Sequence, residues 1–174
     1  ANTCTFISNF LIPYVDLFHK WGYAVHAAAP ADARKQRIEA IFDNVLDIPI
    51  HRSPFSYHNI IALAKLINVM KKEHYSLVHV HTPMGSVVGR FAALATKTAP
   101  VFYTAHGFHF YDGASIKNWI LYYPMERFLS RYTDVLITIN QEDYMRSRQF
   151  RLRSKKAPLY LPGIGVDLKK FRAD

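Results

Sequence analysis

Apolar residues along this chain form two kinds of pattern, short continuous runs and stripes with helical spacing. The short runs are rich in β-branched or aromatic residues and are bounded by Gly, Pro or polar residues, which is typical of strands. They predict five strands, at 23–29, 45–50, 77–81, 101–105 and 135–139. The stripes predict intervening helices at 32–42, after Ser56, and at 86–97, 115–132 and 141–150.

The first helix carries an aromatic stripe that includes Phe6 and Phe10 and ends before Gly22. Thr5 or Ser8 could cap its amino end. Pro13 lies inside the pattern, so it either kinks this helix or marks its true start.

Strands therefore alternate with helices from one end of the sequence to the other. This alternation predicts an α/β fold with a Rossmann-like, doubly wound parallel sheet. The chain has 174 residues, which suits a single domain covering 1–174. It contains one cysteine, Cys4, so an internal disulfide is excluded and a reducing compartment is favoured.

The net charge is +9 and the aromatic content is 14%, which together favour anionic partners such as membrane lipid, nucleic acid or phosphorylated substrates. The densest basic run extends from Arg146 to Lys156, and the helix at 115–132 combines aromatic with basic residues. An anionic leaflet or nucleic acid could bind the basic run, which could equally be a solvated face. The helix suits a membrane interface or a cover for the sheet, and its Glu126 could pair with Arg127 or Arg131 or point into a cleft.

The loop that follows the strand at 101–105 is the strongest candidate for a functional site. It contains His106, Gly107, His109, Asp112 and Gly113. Ligands of α/β proteins bind at the carboxyl ends of strands, where this loop begins. The two glycines allow close approach of a ligand to the backbone, and a plain tight turn would explain them as well.

His79 and His81 lie two residues apart on the neighbouring strand and therefore share one face of the sheet. Together with His106 and His109 they could form a metal site, although only Asp112 offers a carboxylate nearby. Without a metal, these imidazoles could bind sugar hydroxyls or phosphate oxygens, or could simply hold the loop. We interpret His106 as the residue that faces a substrate and His79 as a structural residue.

The turn from Thr82 to Ser86 leads into the helix at 86–97. A helix amino terminus presents unpaired N–H groups and the positive end of the helix dipole, which suits an anion. The turn matches neither a Walker loop nor the G-x-G-x-x-G pattern.

Five stretches, taken in this order and spacing, resemble the amino-terminal domain of family 4 glycosyltransferases of bacterial capsular and exopolysaccharide synthesis. They are His79–Met84, Tyr103–Phe110, Tyr122–Glu126, Ser130–Asp134 and Pro162–Asp167. The resemblance covers nearly the whole chain from Phe10 onward.

The resemblance implies a GT-B enzyme, in which two Rossmann-like domains face a cleft. Such an enzyme transfers a sugar from a nucleotide-sugar with retention of configuration, and it needs no metal and no cofactor beyond the donor substrate. The amino-terminal domain binds the saccharide acceptor, which is often lipid-linked, at the cytoplasmic face of the membrane. A cytoplasmic or peripheral membrane protein that binds no nucleic acid is therefore expected.

The resemblance also implies roles for individual residues. His106 matches the family's histidine that reaches the transferred sugar across the cleft. The other expected substrate-binding residues shape the pocket or line its floor: Gly107, Phe108, His109, His81, Thr82 and Gly85. The stretch Gly163–Asp167 matches the signature that closes the family's first domain, with Ile164 and Gly165 replacing Asn and Gly.

Two departures from the family pattern limit these expectations. The family's nucleotide-binding second domain would follow Asp174, and its glycine-bearing first loop is absent or altered at Ala1 to Thr5. We therefore expect residues 1–174 to be an acceptor-side half that is catalytically silent on its own. A metal-dependent hydrolase using the four histidines and a non-catalytic module for anionic lipid or nucleic acid remain the alternative classes.

Overall fold

The computed structural model describes residues 1–165, in which helices and parallel strands alternate. The elements are α1 (Cys4–Phe10), α2 (Ile12–Lys20), β1 (His26–Ala29), α3 (Lys35–Glu39), β2 (Asn44–Asp47), α4 (His58–Glu73), β3 (Val78–His81), α5 (Pro83–Thr96), β4 (Val101–Ala105), α6 (Ile116–Leu129), a 3₁₀ turn (Ser130–Tyr132), β5 (Val135–Thr138), α7 (Gln141–Ser147) and β6 (Leu159–Tyr160).

The strands pair in two parallel sheets. The larger sheet has the order β3-β4-β5-β6, and β1 pairs with β2 in the smaller one. The predicted α/β class with parallel strands is confirmed, although the hydrogen-bonded ladders form two sheets rather than one. In the larger sheet His81 pairs with Thr104 and Ala105 pairs with Thr138, so these strands end at a common edge.

All five predicted strands are present, β3 and β5 each one residue shorter than expected and β1 and β2 shorter by two or more residues. β1 begins at His26 because the N–H of Val25 donates to the Asp43 carboxylate, 2.6 Å away, instead of to a strand. β2 ends at Asp47, two residues before Pro49, which has no N–H to donate to a ladder. The strand β6 adds a sixth, which sequence periodicity did not predict.

The observed helix starts differ from the predicted ones more than the strand bounds do. Thr3, and neither Thr5 nor Ser8, caps α1 by accepting a hydrogen bond from the N–H of Phe6 at 3.0 Å. Pro13 lies in the first turn of α2, so it marks a helix start and not a kink.

Other predicted helix bounds also shift. The helix predicted at 86–97 begins at Pro83, and α4 begins at His58, with Tyr57 rather than Ser56 at the N-cap position. The long helix predicted at 115–132 ends at Leu129, and the 3₁₀ turn completes it. The last predicted helix ends at Ser147.

The helices α5 and α6 meet through a buried ion pair. The Arg90 guanidinium lies 2.7 Å from the Glu126 carboxylate and also donates to Ser86 Oγ at 2.9 Å. The hydroxyl of Tyr103 donates to the other Glu126 oxygen at 3.1 Å, and Arg90 stacks over the Tyr103 ring. The prediction that Glu126 pairs with Arg127 or Arg131 or faces a cleft is therefore wrong. Its charge is neutralised in the core, between the helices that follow β3 and β4.

Candidate functional site

The common edge of β3 and β4 brings three of the candidate histidines into a row. His79 Nε2 lies 2.9 Å from Thr104 Oγ1, and the His79 and His81 rings are 4.2 Å apart. His81 Nδ1 in turn lies 3.2 Å from His106 Nε2. The row starts on the strands and ends at the first residue of the loop that follows β4.

Burial lowers the pKa of two imidazoles in this row, His81 and His106, and so favours their neutral forms. His81 is only 5% exposed, and its burial, together with the nearby His79, lowers the pKa of His81 well below its ordinary value. Burial also lowers the pKa of the half-buried His106. A neutral imidazole has one N–H donor and one nitrogen acceptor, so the pair can share one hydrogen bond and still offer polar atoms to a ligand.

Two phenylalanines of α1 cover the end of the row. The Phe6 ring meets the His106 ring edge-on at 4.9 Å, and the Phe10 ring lies 6.5 Å from it. Sequence periodicity had placed both residues on an apolar helix stripe without a link to the histidines. Phe6 and Phe10 are four residues apart and lie on a different side of the helix from the buried Cys4 and Ile7. This spacing is the sequence signal that they belong to a second face, separate from the core face.

Thr82 and Gly85 form the tight turn beneath His81. Thr82 has φ +62, and its hydroxyl donates to the His81 carbonyl at 2.5 Å. A side chain at Gly85 would place its Cβ only 2.6 Å from Thr82 Oγ1, so the turn leaves no room for one. Both residues are buried, and the Thr82 hydroxyl bonds to the backbone.

The remaining predicted pocket residues lie in the loop after His106. Gly107 has φ +142, which favours glycine, and is exposed. The Phe108 side chain is buried and stacks on Phe110 at 4.7 Å, so it packs in the core and does not line a pocket. His109 is exposed and packs against Tyr122 at 4.5 Å, whereas the other three histidines form the row.

The first turn of α7 anchors this loop. One oxygen of the buried Asp143 accepts hydrogen bonds from the Phe108 N–H at 2.9 Å and from the Asn140 side chain at 2.8 Å. The Glu142 carboxylate accepts the N–H of Asp112 at 2.6 Å, and Arg146 bridges the two acids. Sequence reasoning identified Asn140 as a cap and missed this anchor. The local signal was an acid three residues after the cap, within an otherwise ordinary helix start.

The basic run from Arg146 to Lys156 begins in α7 and continues into the segment that precedes β6. Arg146 and Arg153 are engaged by carboxylates, the latter by Asp134 at 2.8 Å. The other cations line a groove of about 570 Å³, and they are Arg148, Arg151, Lys155 and Lys156. The run therefore contains two kinds of cation. Arg146 and Arg153 are paired with carboxylates and hold loops, and the other four line the groove.

Residues 1–165 contain no group of three or more His, Cys, Asp or Glu side chains arranged to hold a metal ion. His109, which the hydrolase alternative requires, contacts Tyr122 instead. Across the same residues, no helix combines the length and apolar character needed to cross a bilayer.

The closing signature of the chain is described only in part. Gly163 and Gly165 both have φ +78, and the N–H of Gly163 donates to the Ile139 carbonyl at 3.0 Å. This bond places the segment beside the carboxyl end of β5. Val166 and Asp167 lie outside the described residues.

Comparisons with known proteins agree on one family. Residues 4–140 match the family model described as glycosyl transferase 4-like. A protein of Bacillus subtilis (strain 168) named as the glycosyltransferase EpsD is 43% identical over 165 residues, which are 94% of this chain and 42% of that protein. The UDP-Gal:alpha-D-GlcNAc-diphosphoundecaprenol alpha-1,3-galactosyltransferase of Escherichia coli is 32% identical over 113 residues, which are 63% of this chain and 28% of that protein.

A solved structure supports the fold. The crystal structure of a UDP-N-acetylglucosamine 2-epimerase matches 78% of this chain and 39% of its own with a TM-score of 0.55 at 17% identity. At this identity the likeness shows the fold alone. The chain spans less than half the length of the two curated relatives.

Proposed function

Because the chain belongs to the glycosyl transferase 4-like family, we propose that it forms the acceptor-side domain of a GT-B glycosyltransferase of polysaccharide synthesis. In this proposal a sugar passes from a nucleotide-sugar, with retention of configuration, to a saccharide acceptor. A second domain, not among these residues, holds the donor nucleotide, and no metal takes part.

The observation that carries this proposal is the hydrogen-bonded imidazole pair of His81 and His106 at the carboxyl edge of the larger sheet. His106 Nε2 is engaged by His81, and within residues 1–165 the structure gives His106 Nδ1 no hydrogen-bond partner. In the proposed complex, Nδ1 hydrogen-bonds a hydroxyl of the transferred sugar. Because the ring is uncharged, it can hydrogen-bond a neutral sugar. It adds no positive charge that would compete with the second domain for the phosphates of the donor.

The neighbouring residues support His106 in this role. The buried turn at Thr82 and Gly85 forms the floor beneath His81, and His81 fixes one ring nitrogen of His106. Gly107 adds exposed backbone at the mouth of the site. The rings of Phe108 and His109 pack beside the loop and shape it.

The proposed acceptor is lipid-linked and reached at the inner face of the cell membrane. The name of the Escherichia coli relative, whose acceptor is a diphosphoundecaprenol-linked sugar, supports this. Exposed Ile116 and Ile120 flank Lys117 on α6, and four cations line the groove beside β6. Such surfaces suit peripheral contact with an anionic bilayer.

The test of the catalytic role is His106→Ala in the intact enzyme. Removing one hydrogen bond made to the reacting sugar should lower kcat by about 10²–10³-fold. His74→Asn, at the exposed end of α4 where φ is +50, is the matched histidine control and should leave kcat unchanged. Wild-type rates in His106→Ala, or stoichiometric bound zinc with hydrolase activity, would refute the proposal.

The need for a second domain and the contact with a membrane are tested by separate measurements. Residues 1–174 alone should transfer no sugar from any nucleotide-sugar, and turnover by this chain would show that a second domain is not required. For the membrane, Arg151→Glu with Lys155→Glu should reduce binding to phosphatidylglycerol vesicles. Lys71→Glu with Lys72→Glu on α4 makes the same charge change elsewhere, and equal loss in both pairs would refute a groove-specific contact.

A further inference from the structure

Helix α1 has two different faces, and one of them points to the histidine row. Cys4 and Ile7 are buried against the smaller sheet and its helices. Phe6 and Phe10 lie four residues apart on another face, where their rings are 5.1 Å from each other. Helix packing thus uses the first face, and the second is presented to the candidate site.

The two phenylalanines differ in what they do. The Phe6 ring is partly buried and touches both His106, at 4.9 Å, and His81, at 5.8 Å. Phe10 packs on Phe6 and remains 38% exposed, at 6.5 Å from the His106 ring. Phe6 therefore fixes the position of Phe10, whose own ring borders solvent next to a neutral polar group.

This pairing of an aromatic surface with an uncharged hydrogen-bonding group matches the chemistry of a pyranose. One face of such a ring presents apolar C–H groups, while its hydroxyls project from the rim. Stacking places ring atoms about 4 Å above an aromatic plane. A sugar stacked on Phe10 would then present a rim hydroxyl towards the imidazole 6.5 Å away, beside the transferred sugar that His106 is proposed to bind.

We propose that Phe10, supported by Phe6, is a stacking platform for a pyranose ring of the saccharide acceptor. The inference rests on the proposed glycosyltransferase function and names the surface that recognises its acceptor. The sugar's apolar face covers the exposed Phe10 ring, and His106 lies at its rim. Phe10 is a binding residue here, with no part in bond making or breaking.

The experiment compares variants of Phe10 in the intact enzyme. Phe10→Leu keeps an apolar side chain on α1 but removes the aromatic face, and it should raise the acceptor KM about tenfold with the donor KM unchanged. Phe10→Tyr keeps the ring and should retain the wild-type acceptor KM. Phe128→Leu is the matched control, because Phe128 is 42% exposed and packs near Phe91 and Tyr132.

A binding measurement separates this inference from the function it rests on. Saturation-transfer NMR with methyl α-N-acetylglucosaminide should show contacts to the sugar C–H groups in wild type and Phe10→Tyr, and their loss in Phe10→Leu. If His106→Ala abolishes transfer while Phe10→Leu leaves acceptor KM and sugar contacts unchanged, the platform is wrong and the glycosyltransferase proposal stands. If His106→Ala keeps the wild-type kcat and Phe10→Leu keeps the wild-type acceptor KM, both the platform and the proposed role of His106 are wrong.

Discussion

The Asp143 carboxylate lies 2.9 Å from the backbone nitrogen of Phe108 and thereby joins the first turn of α7 to the loop that carries His106. Asp143 is 2% exposed, and its second partner is the Asn140 amide. The loop follows β4 with an exposed glycine at 107, so this buried bond fixes its path two residues after the histidine. The path of the loop that carries His106 thus depends on a buried carboxylate of α7.

We expect Asp143→Ala to lower both stability and turnover. The buried Phe108 N–H loses its acceptor, which should cost about 1–3 kcal/mol of unfolding free energy. The loop should then hold His106 less precisely, so kcat should fall more than the donor KM changes. Urea unfolding and steady-state kinetics measure the two effects.

Asp134→Ala is the control, because Asp134 accepts the N–H of Val101 at 2.6 Å, at the other end of β4. It should lose stability in the same way and keep kcat. Equal loss of kcat in both variants would mean that the effect of Asp143 is only one of stability. Asp143→Asn, which keeps an oxygen acceptor, should recover part of the turnover.

The buried Arg90–Glu126 pair predicts a non-additive stability effect. Arg90→Met leaves the Glu126 carboxylate buried without its cation and should cost about 3–5 kcal/mol. Arg90→Met with Glu126→Leu removes both charges and should unfold less readily than the single variant. Chemical denaturation of the single and double variants measures the coupling, and additive losses would contradict the assignment.

Close packing of α5 against β3 predicts a clash at Gly89. A Cβ at this position would lie 2.4 Å from Val80 Cγ1, so Gly89→Ala should cost about 1–3 kcal/mol in spite of the better helix propensity of alanine. Val80→Ala removes the clashing methyl. The double variant should therefore be more stable than the sum of the two single losses predicts, and thermal unfolding of the three variants tests this. A stabilised Gly89→Ala would contradict the close approach.

Burial of His81 predicts a loss of stability in acid. Its folded-state pKa is lowered, so as pH falls through about 6.5 the unfolded chain takes up a proton that the folded chain does not. The free energy of unfolding therefore keeps its full value above that pH. Below it, this free energy falls by up to about 1.4 kcal/mol per pH unit. His81→Gln keeps a polar side chain without titration and should flatten the dependence between pH 7 and pH 5. Urea midpoints at pH 8, 6 and 5 measure it, and an unchanged slope would contradict the buried neutral state.

Local patterns in the sequence were sufficient for the parallel α/β class and for the edge at which the histidines gather. Short β-branched runs predicted the strands, and the alternation at 79 and 81 correctly put both imidazoles on one face. These features depend on neighbours in sequence and on the fixed geometry of strands. Local patterns do not predict contacts between side chains of distant segments.

The missed contacts all join segments far apart in the chain. Asp143 and Phe108 are 35 residues apart, and Arg90 and Glu126 are 36 apart. Neither pair has a periodicity that could reveal it. The position of Phe6 over His106 likewise depends on how α1 packs, and its helical spacing fixed only which residues share a face. The start of α1 was missed because Thr3 competes with Thr5 and Ser8 as a cap, and the start of α5 was missed because Pro83 opens the helix at its first position.

The hydrogen bond between His81 and His106 couples the tautomers of the two rings. If His81 Nδ1 donates, His106 must carry its proton on Nδ1 and presents a donor to the ligand; if His81 Nδ1 accepts, His106 Nδ1 becomes an acceptor. A hydroxyl can reverse its own direction and satisfies either state, whereas a phosphate oxygen only accepts. Whether His106 Nδ1, the atom proposed to bind the sugar, is a donor or an acceptor is therefore set by the tautomer of His81, and a sugar hydroxyl can pair with either form.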